Sequence, residues 1–230
     1  MEFLPVPITR FSGQACFDKE DVVAVEARYT VKCDRFPAFS FTCTPSHLEE
    51  MVTGALYSRK HIQSFGQIDS ITIEGDTVFV TLGDAAPAAA DSVGAVDLEP
   101  QQIFRVVDTL FTDPDTLFNR TGCAHSCALL RQGRILCTME DIGRHNALDK
   151  VIGYALKNGI PISKSVIFSS GRISQDYLEK VIKAGFKIVV SRAAVTASAV
   201  ALAREKNITM LGFIRRNGGN IYHVGEVAIF

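Results

Sequence analysis

Between residues 23 and 33 apolar and polar positions alternate. Val23, Val25, Ala27, Tyr29, Val31 and Cys33 fall on one side, and Glu26, Arg28, Thr30 and Lys32 on the other. A period of two predicts one half-buried strand. Asp34 to Pro37 reads as a turn, and AFSFTC as the returning strand. The period then lengthens. Leu48, Met51, Val52, Ala55 and Leu56 share a helical face, and Ser46 with Glu49 forms a capping-box pattern after Pro45. IDSITIEGDTVFVTL reads as a hairpin turning near Gly75 and Asp76. Residues 83–100 shift to Ala, Pro, Gly and Asp, the expected boundary between a small α+β module (1–100) and an α/β domain (101–230).

Beyond it the pattern is regular. A helix over 101–111 places Ile103, Phe104, Val107, Leu110 and Phe111 on one stripe, and Asp113-Pro114 ends it. Then RILCTM, SVIFSS, FKIVVS and ITMLGFI read as strands. They are separated by helices over 145–158, SQDYLEKVIKAG and TASAVALAREKN. Strands spaced by single helices predict right-handed crossovers and a largely parallel sheet with helices on its faces.

Composition narrows the function classes. The 230 residues are 47% apolar and 21% charged, as in an ordinary globular protein. A formal net charge of −1 gives no global field for nucleic acid or an anionic membrane. No apolar run approaches the ~18 residues of a membrane span. The start, MEFLPVPITR, lacks a signal-peptide pattern, so a cytoplasmic location is expected. There the six cysteines are expected as free thiols.

In open α/β sheets ligands bind beyond the carboxyl ends of the strands. The segments there are EDIGRHN, GRIS, RAAVT and RRNGGN, carrying Arg144, Arg172, Arg192, Arg215 and Arg216. Ser174 and Thr196 cap the helices that follow two of them. Guanidinium forks at one edge point to a phosphate-bearing ligand. No Walker A or G-x-G-x-x-G pattern is present, so no standard nucleotide loop holds it. Residues 140–146 are the densest polar stretch. Asp141 and Asn146 each read singly as helix caps and His145 as a core histidine, but together as a site. Lys150 reads as one of an exposed pair with Asp149 or as a phosphate contact.

TGCAHSCALL (121–130) leaves alternatives open. Extended, it turns Cys123, His125 and Cys127 to one side, suited to zinc with His145 as a fourth ligand. Yet no second ligand pair and no zinc-deaminase signature is present, and C-x-x-x-C is not the spacing of a redox pair. A nucleophilic thiolate beside the arginine edge, or two packing thiols, remain.

These segments resemble the FdhD/NarQ family. EDIGRHNALDKVIG is similar to the family's ED-V-GRHNA-x-DK-x-x-G, TGCAHSCALL to its TGG-x-H-x-AAL, and FSSGRIS to its S-G-R-x-S. SRAAVTASAVALA, LGFIRRNGGNIY and CTPSHLEEMVTGALYSRKHI follow the family in order and spacing. The resemblance implies a larger C-terminal cytidine deaminase-like three-layer α/β domain with the smaller N-terminal α+β module. It implies a sulfurtransferase-like persulfide carrier that takes sulfur from a cysteine desulfurase. The sulfur passes to the molybdenum bis-guanine dinucleotide cofactor, a transient ligand, for formate dehydrogenase. A guanine nucleotide is then a fragment mimic, and a homodimer is implied. Catalytic residues are expected at Cys123 and Cys127. Cofactor contacts are expected at His125, Asp141, Gly143, Arg144, His145, Asn146, Lys150, Ser170, Gly171, Arg172, Phe213, Ile214, Arg215, Arg216, Asn217 and Gly218, with no resident metal.

One departure stands out. The family's C-x-x-C lies upstream of TGG-x-H, and residues 44–122 here hold no cysteine. Either the carrier thiol stands at Cys123 or Cys127, or the chain binds the cofactor as a chaperone without sulfur transfer.

Overall fold

In a computed structural model, which describes residues 1–84, 96, 100–215 and 218–226, three sheets succeed one another along the chain. The first is a ribbon of β1 (Phe3–Ser12) and β2 (Ala15–Ala24), which pair only with each other among the described residues. The second has the order β4-β3-β6-β5. It comprises β3 (Ala27–Cys33), β4 (Phe36–Cys43), β5 (Ile68–Glu74) and β6 (Thr77–Leu82). The expected strand over 23–33 is thus two strands, because Val25 and Glu26 lie in neither. The β5–β6 hairpin turns at Gly75-Asp76 as expected, with Gly75 at a φ of 60°.

Helix α1 (Leu48–Ser58) covers this sheet, burying Val52 and Leu56 against Val31, Val78 and Val80. The capping box is not formed. His47, in left-handed backbone at φ 50° and ψ 40°, is the N-cap. The reason is local: Ser46 Oγ lies 3.5 Å from Lys150 Nζ, and Glu49 pairs with Lys157 at 2.6 Å.

The third sheet has the order β12-β11-β10-β9-β7-β8. Its elements are α2 (Pro100–Thr112), α3 (Leu117–Thr121), β7 (His125–Arg131), β8 (Arg134–Asp141), α4 (Arg144–Lys157), β9 (Val166–Ser169), α5 (Gln175–Ala184), β10 (Ile188–Ser191), α6 (Ala197–Glu205), β11 (Thr209–Arg215) and β12 (Gly218–His223). Alternate residues face opposite layers. Cys127, Leu129, Ile167 and Val189 pack under α4, α5 and α6, while Ala128, Leu130, Phe168 and Val190 pack on Ile103, Val106 and Val107 of α2. Phe104 is half-buried on that stripe; the Leu110 and Phe111 side chains, and most of the Ala-rich stretch near 83–100, lie outside the described residues.

The sheet departs from the largely parallel expectation. β8, β9, β10 and β11 run in one direction, but β7 lies antiparallel between β8 and β9, and β12 is antiparallel to β11. The cause is the turn at Gln132-Gly133, where φ is 50° and 69° at the two residues. Two positive φ values make the tight hairpin that returns β7 as β8.

The small sheet reaches the large one through α1 on α4. The helices approach so closely that a Cβ on Gly54 would overlap the Asp149 carbonyl, and one on Gly153 the Glu50 carbonyl. Beside this contact Asp141 and Lys150, both fully buried, pair at 2.8 Å. The ammonium also donates to Glu140 O (3.0 Å), to Thr44 O (3.3 Å) and, at 3.5 Å, to Ser46 Oγ, so its three protons are shared among four acceptors. Asp141 accepts from Thr44 N at 3.1 Å, Gly143 N at 2.9 Å and Asn146 Nδ2 at 2.9 Å. Asn146 donates in turn to Thr42 O at 2.7 Å.

Lys150→Met leaves Asp141 buried without its counter-charge, a loss of about 3–5 kcal/mol. The urea midpoint should fall accordingly, and a wild-type midpoint would show that this pair does not hold the joint.

Candidate functional site

Because β7 runs against its neighbours, its amino end lies at the edge formed by the carboxyl ends of β8 to β11. There the Cys123 segment meets the arginine-bearing loops. A cavity of about 310 Å³ opens between them. Gly122, Cys123, Ala124 and His125 line one side, and Phe118, Ile142, Ser170 and Arg192 the other.

The segment is held from below. Glu140 accepts from Leu117 N at 2.6 Å and Phe118 N at 3.3 Å, capping α3 with a carboxylate where orphan N–H groups favour one. The same carboxylate accepts from Ser126 Oγ at 2.9 Å. Gly122 ends α3 in left-handed backbone at φ 68° and delivers Cys123, which is exposed. Ser170 Oγ accepts from Ser126 N at 2.9 Å, locking the loop after β9 to β7.

Gly171 sits between Arg144 and His125. A Cβ there would meet Arg144 Cβ, Arg144 Cδ and His125 Nδ1, each at 3.2 Å. Arg144 Nη2 donates to Ser174 Oγ at 3.1 Å, while its buried Nε has no partner among the described residues. Arg172 is exposed at the same edge. Arg215 donates to the Arg192 carbonyl and to Ile214 O, bracing the loop after β10. Phe213 is 42% exposed and stands at φ 54°, a conformation costly for an aromatic residue.

Two histidines of this edge are pushed toward neutrality, as burial and the Arg59 charge push His61, which lies away from it. Burial holds His125 below its usual range, reinforced by the Arg144 and Arg172 charges. Burial does the same to His145, with Lys180 and Arg144 adding to it, although His145 Nε2 lies 3.1 Å from Asp176.

The expected site residues therefore divide. His125, Gly143, Arg144, His145, Ser170, Gly171, Arg172, Phe213, Arg215 and Gly218 lie at the edge or in its loops. Arg216 and Asn217 lie outside the described residues. Asp141 and Lys150 are not at the edge; they are buried in the joint with Asn146 beside them. Ile214 is buried under α2. Cys127 is also buried, with Tyr177 Oη 3.8 Å from its sulfur, and burial pushes its thiol far up. Cys123 and Cys127 thus differ in kind. The zinc arrangement finds no cluster of three His, Cys, Asp or Glu ligands among the described residues. Phe118, Ile142 and Ala124 carry no polar signal in the sequence, and only the cavity reveals them.

Known proteins match this chain closely. The model of the FdhD/NarQ family matches residues 83–228. "Sulfur carrier protein FdhD" of Halalkalibacterium halodurans is 33% identical, over 95% of this chain and 93% of that protein. The protein of that name from Bacillus subtilis is 31% identical over 88% of each chain. The crystal structure of a protein from Desulfotalea psychrophila shares the fold, with a TM-score of 0.85, 24% identity, and coverage of 97% of this chain and 98% of that one. Among the described residues no helix is long and apolar enough to cross a membrane.

The lowered histidines give stability a pH dependence. Their folded pKa values lie below the ordinary 6.5, so just below 6.5 the unfolded chain binds more protons. Stability should fall as pH drops from about 7.5 to about 5.5. The drop in melting temperature should shrink in a His125→Gln/His145→Gln variant, and an unchanged drop would assign the titration elsewhere.

Proposed function

This chain belongs to the FdhD/NarQ family, and from that premise we propose that it carries sulfur, as a persulfide on Cys123, for the maturation of formate dehydrogenase. The observation that carries the reading is the contrast between the two thiols. Cys123 is exposed in a cavity shared with His125 and Arg192, and Cys127 is sealed beneath α4 and α5.

The chemistry follows from that setting. The Cys123 thiolate attacks the terminal sulfur of a persulfide on a cysteine desulfurase. A bond forms between Cys123 Sγ and that sulfur, the donor's S–S bond breaks, and the donor departs as a thiolate with the electron pair. No net oxidation occurs. The Arg192 guanidinium lines the same cavity as Cys123. His125, held neutral, is a proton acceptor in that cavity.

The molybdenum bis-guanine dinucleotide cofactor enters this reading as the sulfur acceptor. Its phosphate oxygens suit Arg144, Arg172, Arg192 and Arg215, and Arg144 Nε, which has no partner among the described residues, is a donor such an oxygen would satisfy. Asp141, Asn146 and Lys150 support this edge from the joint rather than touching the ligand. The reading includes a homodimer, a cytoplasmic location with its reduced thiols, and a cytidine deaminase-like larger domain.

Intact mass after incubation with a cysteine desulfurase and cysteine tests it. Wild type and Cys127→Ala should each gain one sulfur atom, and Cys123→Ala none. A gain that survives in Cys123→Ala moves the carrier elsewhere. The lack of any cysteine in residues 44–122 favours a second reading, a cofactor-binding chaperone, if no sulfur is gained at all. Guanine nucleotide would then still bind Cys123→Ala, and bind Arg144→Ala about tenfold more weakly.

A further inference from the structure

A second cavity, of about 500 Å³, shares no lining residue with the one at Cys123. It lies between the end of α1 and the side of α5. Ser58, Arg59, Lys60 and His61 form one wall, and Asp176, Lys180 and Lys183 the other. The whole chain carries a formal charge of −1, yet this lining sets four cations against one carboxylate. That carboxylate, Asp176, is already engaged by His145 at 3.1 Å.

The four cations differ in their counter-ions. The Arg59 guanidinium sits over the Phe39 ring, 4.3 Å from its centroid. Lys60 Nζ donates to the Lys183 carbonyl at 2.7 Å, at the carboxyl end of α5. Neither Arg59 nor Lys60 has an acidic partner among the described residues, and Lys183 reaches Glu179 only at 3.9 Å. Lys180 is fixed by Asp149 at 2.6 Å. The His61 ring stacks on Phe36 at 4.3 Å and stiffens the wall. Like charges gathered in one concavity repel one another, and an anion placed among them relieves that repulsion.

We propose that this cavity is a second anion site, taking a phosphate-bearing small molecule of the nucleotide or polyphosphate class, with its phosphoryl oxygens among Arg59, Lys60 and Lys183. The volume falls in the range of small-molecule pockets. Arg59 offers a fork suited to phosphate, and three cations match a polyanion better than a single carboxylate. Asp176 marks the opposite end, where an anion is repelled and a hydroxyl or amine of the ligand fits. The proposal does not depend on sulfur transfer at Cys123.

Calorimetric titration of the full chain with inorganic pyrophosphate, and with succinate as the carboxylate control, tests it at low and physiological ionic strength. Pyrophosphate should bind wild type and Arg144→Ala, more weakly at the higher ionic strength. Arg59→Gln/Lys183→Gln should lose at least about tenfold in affinity for this site. Lys60→Gln, which gives up a carbonyl contact and the place over the Tyr57 ring, should weaken it too, and melting curves confirm that each variant is folded. Three results would overturn the proposal: no pyrophosphate binding to wild type, binding intact in the double variant and lost in Arg144→Ala, or succinate binding as tightly. Sulfur loading measured on the same double variant should be unchanged, so the two sites fail separately.

Discussion

A charge pair sealed from water holds this protein together. Asp141 and Lys150 have no solvent to fall back on, so every lone pair and proton must find a partner in the protein. They find them in Thr44, Glu140, Gly143 and Asn146. These partners come from both sides of the joint, the β4–α1 corner and the β8–α4 turn. Satisfying the pair therefore fixes how the small sheet meets the large one. It also fixes the start of α4, and with it the direction in which Arg144 and His145 leave the sheet.

The edge inherits its order from that anchor. Glu140, next to Asp141 in the chain, holds α3 and Ser126, and so sets the segment that ends in Cys123. Gly171 leaves just enough room for Arg144 and His125 to stand on either side of it. Arg215 steadies Arg192 through the latter's backbone. Arg144 also lies 4.0 Å from the Asp176 carboxylate.

Much of this was legible in the sequence. The alternation of β9, α5, β10, α6 and β11 is written in their periodicities, and so is the Gly75 hairpin. Strand direction is not: nothing in HSCALLR says whether it runs with or against its neighbours, and the answer lay in the Gln132-Gly133 turn. Pro5 and Pro7 masked β1, whose prolines sit where a two-stranded ribbon tolerates them. The polar run from Glu140 to Lys150 was visible as a cluster, but a sequence does not show which of its members point inward. Asp141 and Lys150 look as suited to a ligand as Arg144 does until their burial is known. For the same reason two thiols four residues apart read alike, though one lines a cavity and the other lies under two helices.

The joint also imposes an order of events at the ribosome. Thr44 and the Asp141 carboxylate that accepts its N–H are 97 residues apart in the chain. At ordinary rates of synthesis, the β4–α1 corner emerges about 5–20 s before its partner exists. During that interval α1 has its small sheet but not α4, and its outer face around Gly54 stays open to water. The nascent chain therefore passes through a half-built stage whose exposed helix face is a natural target for chaperones.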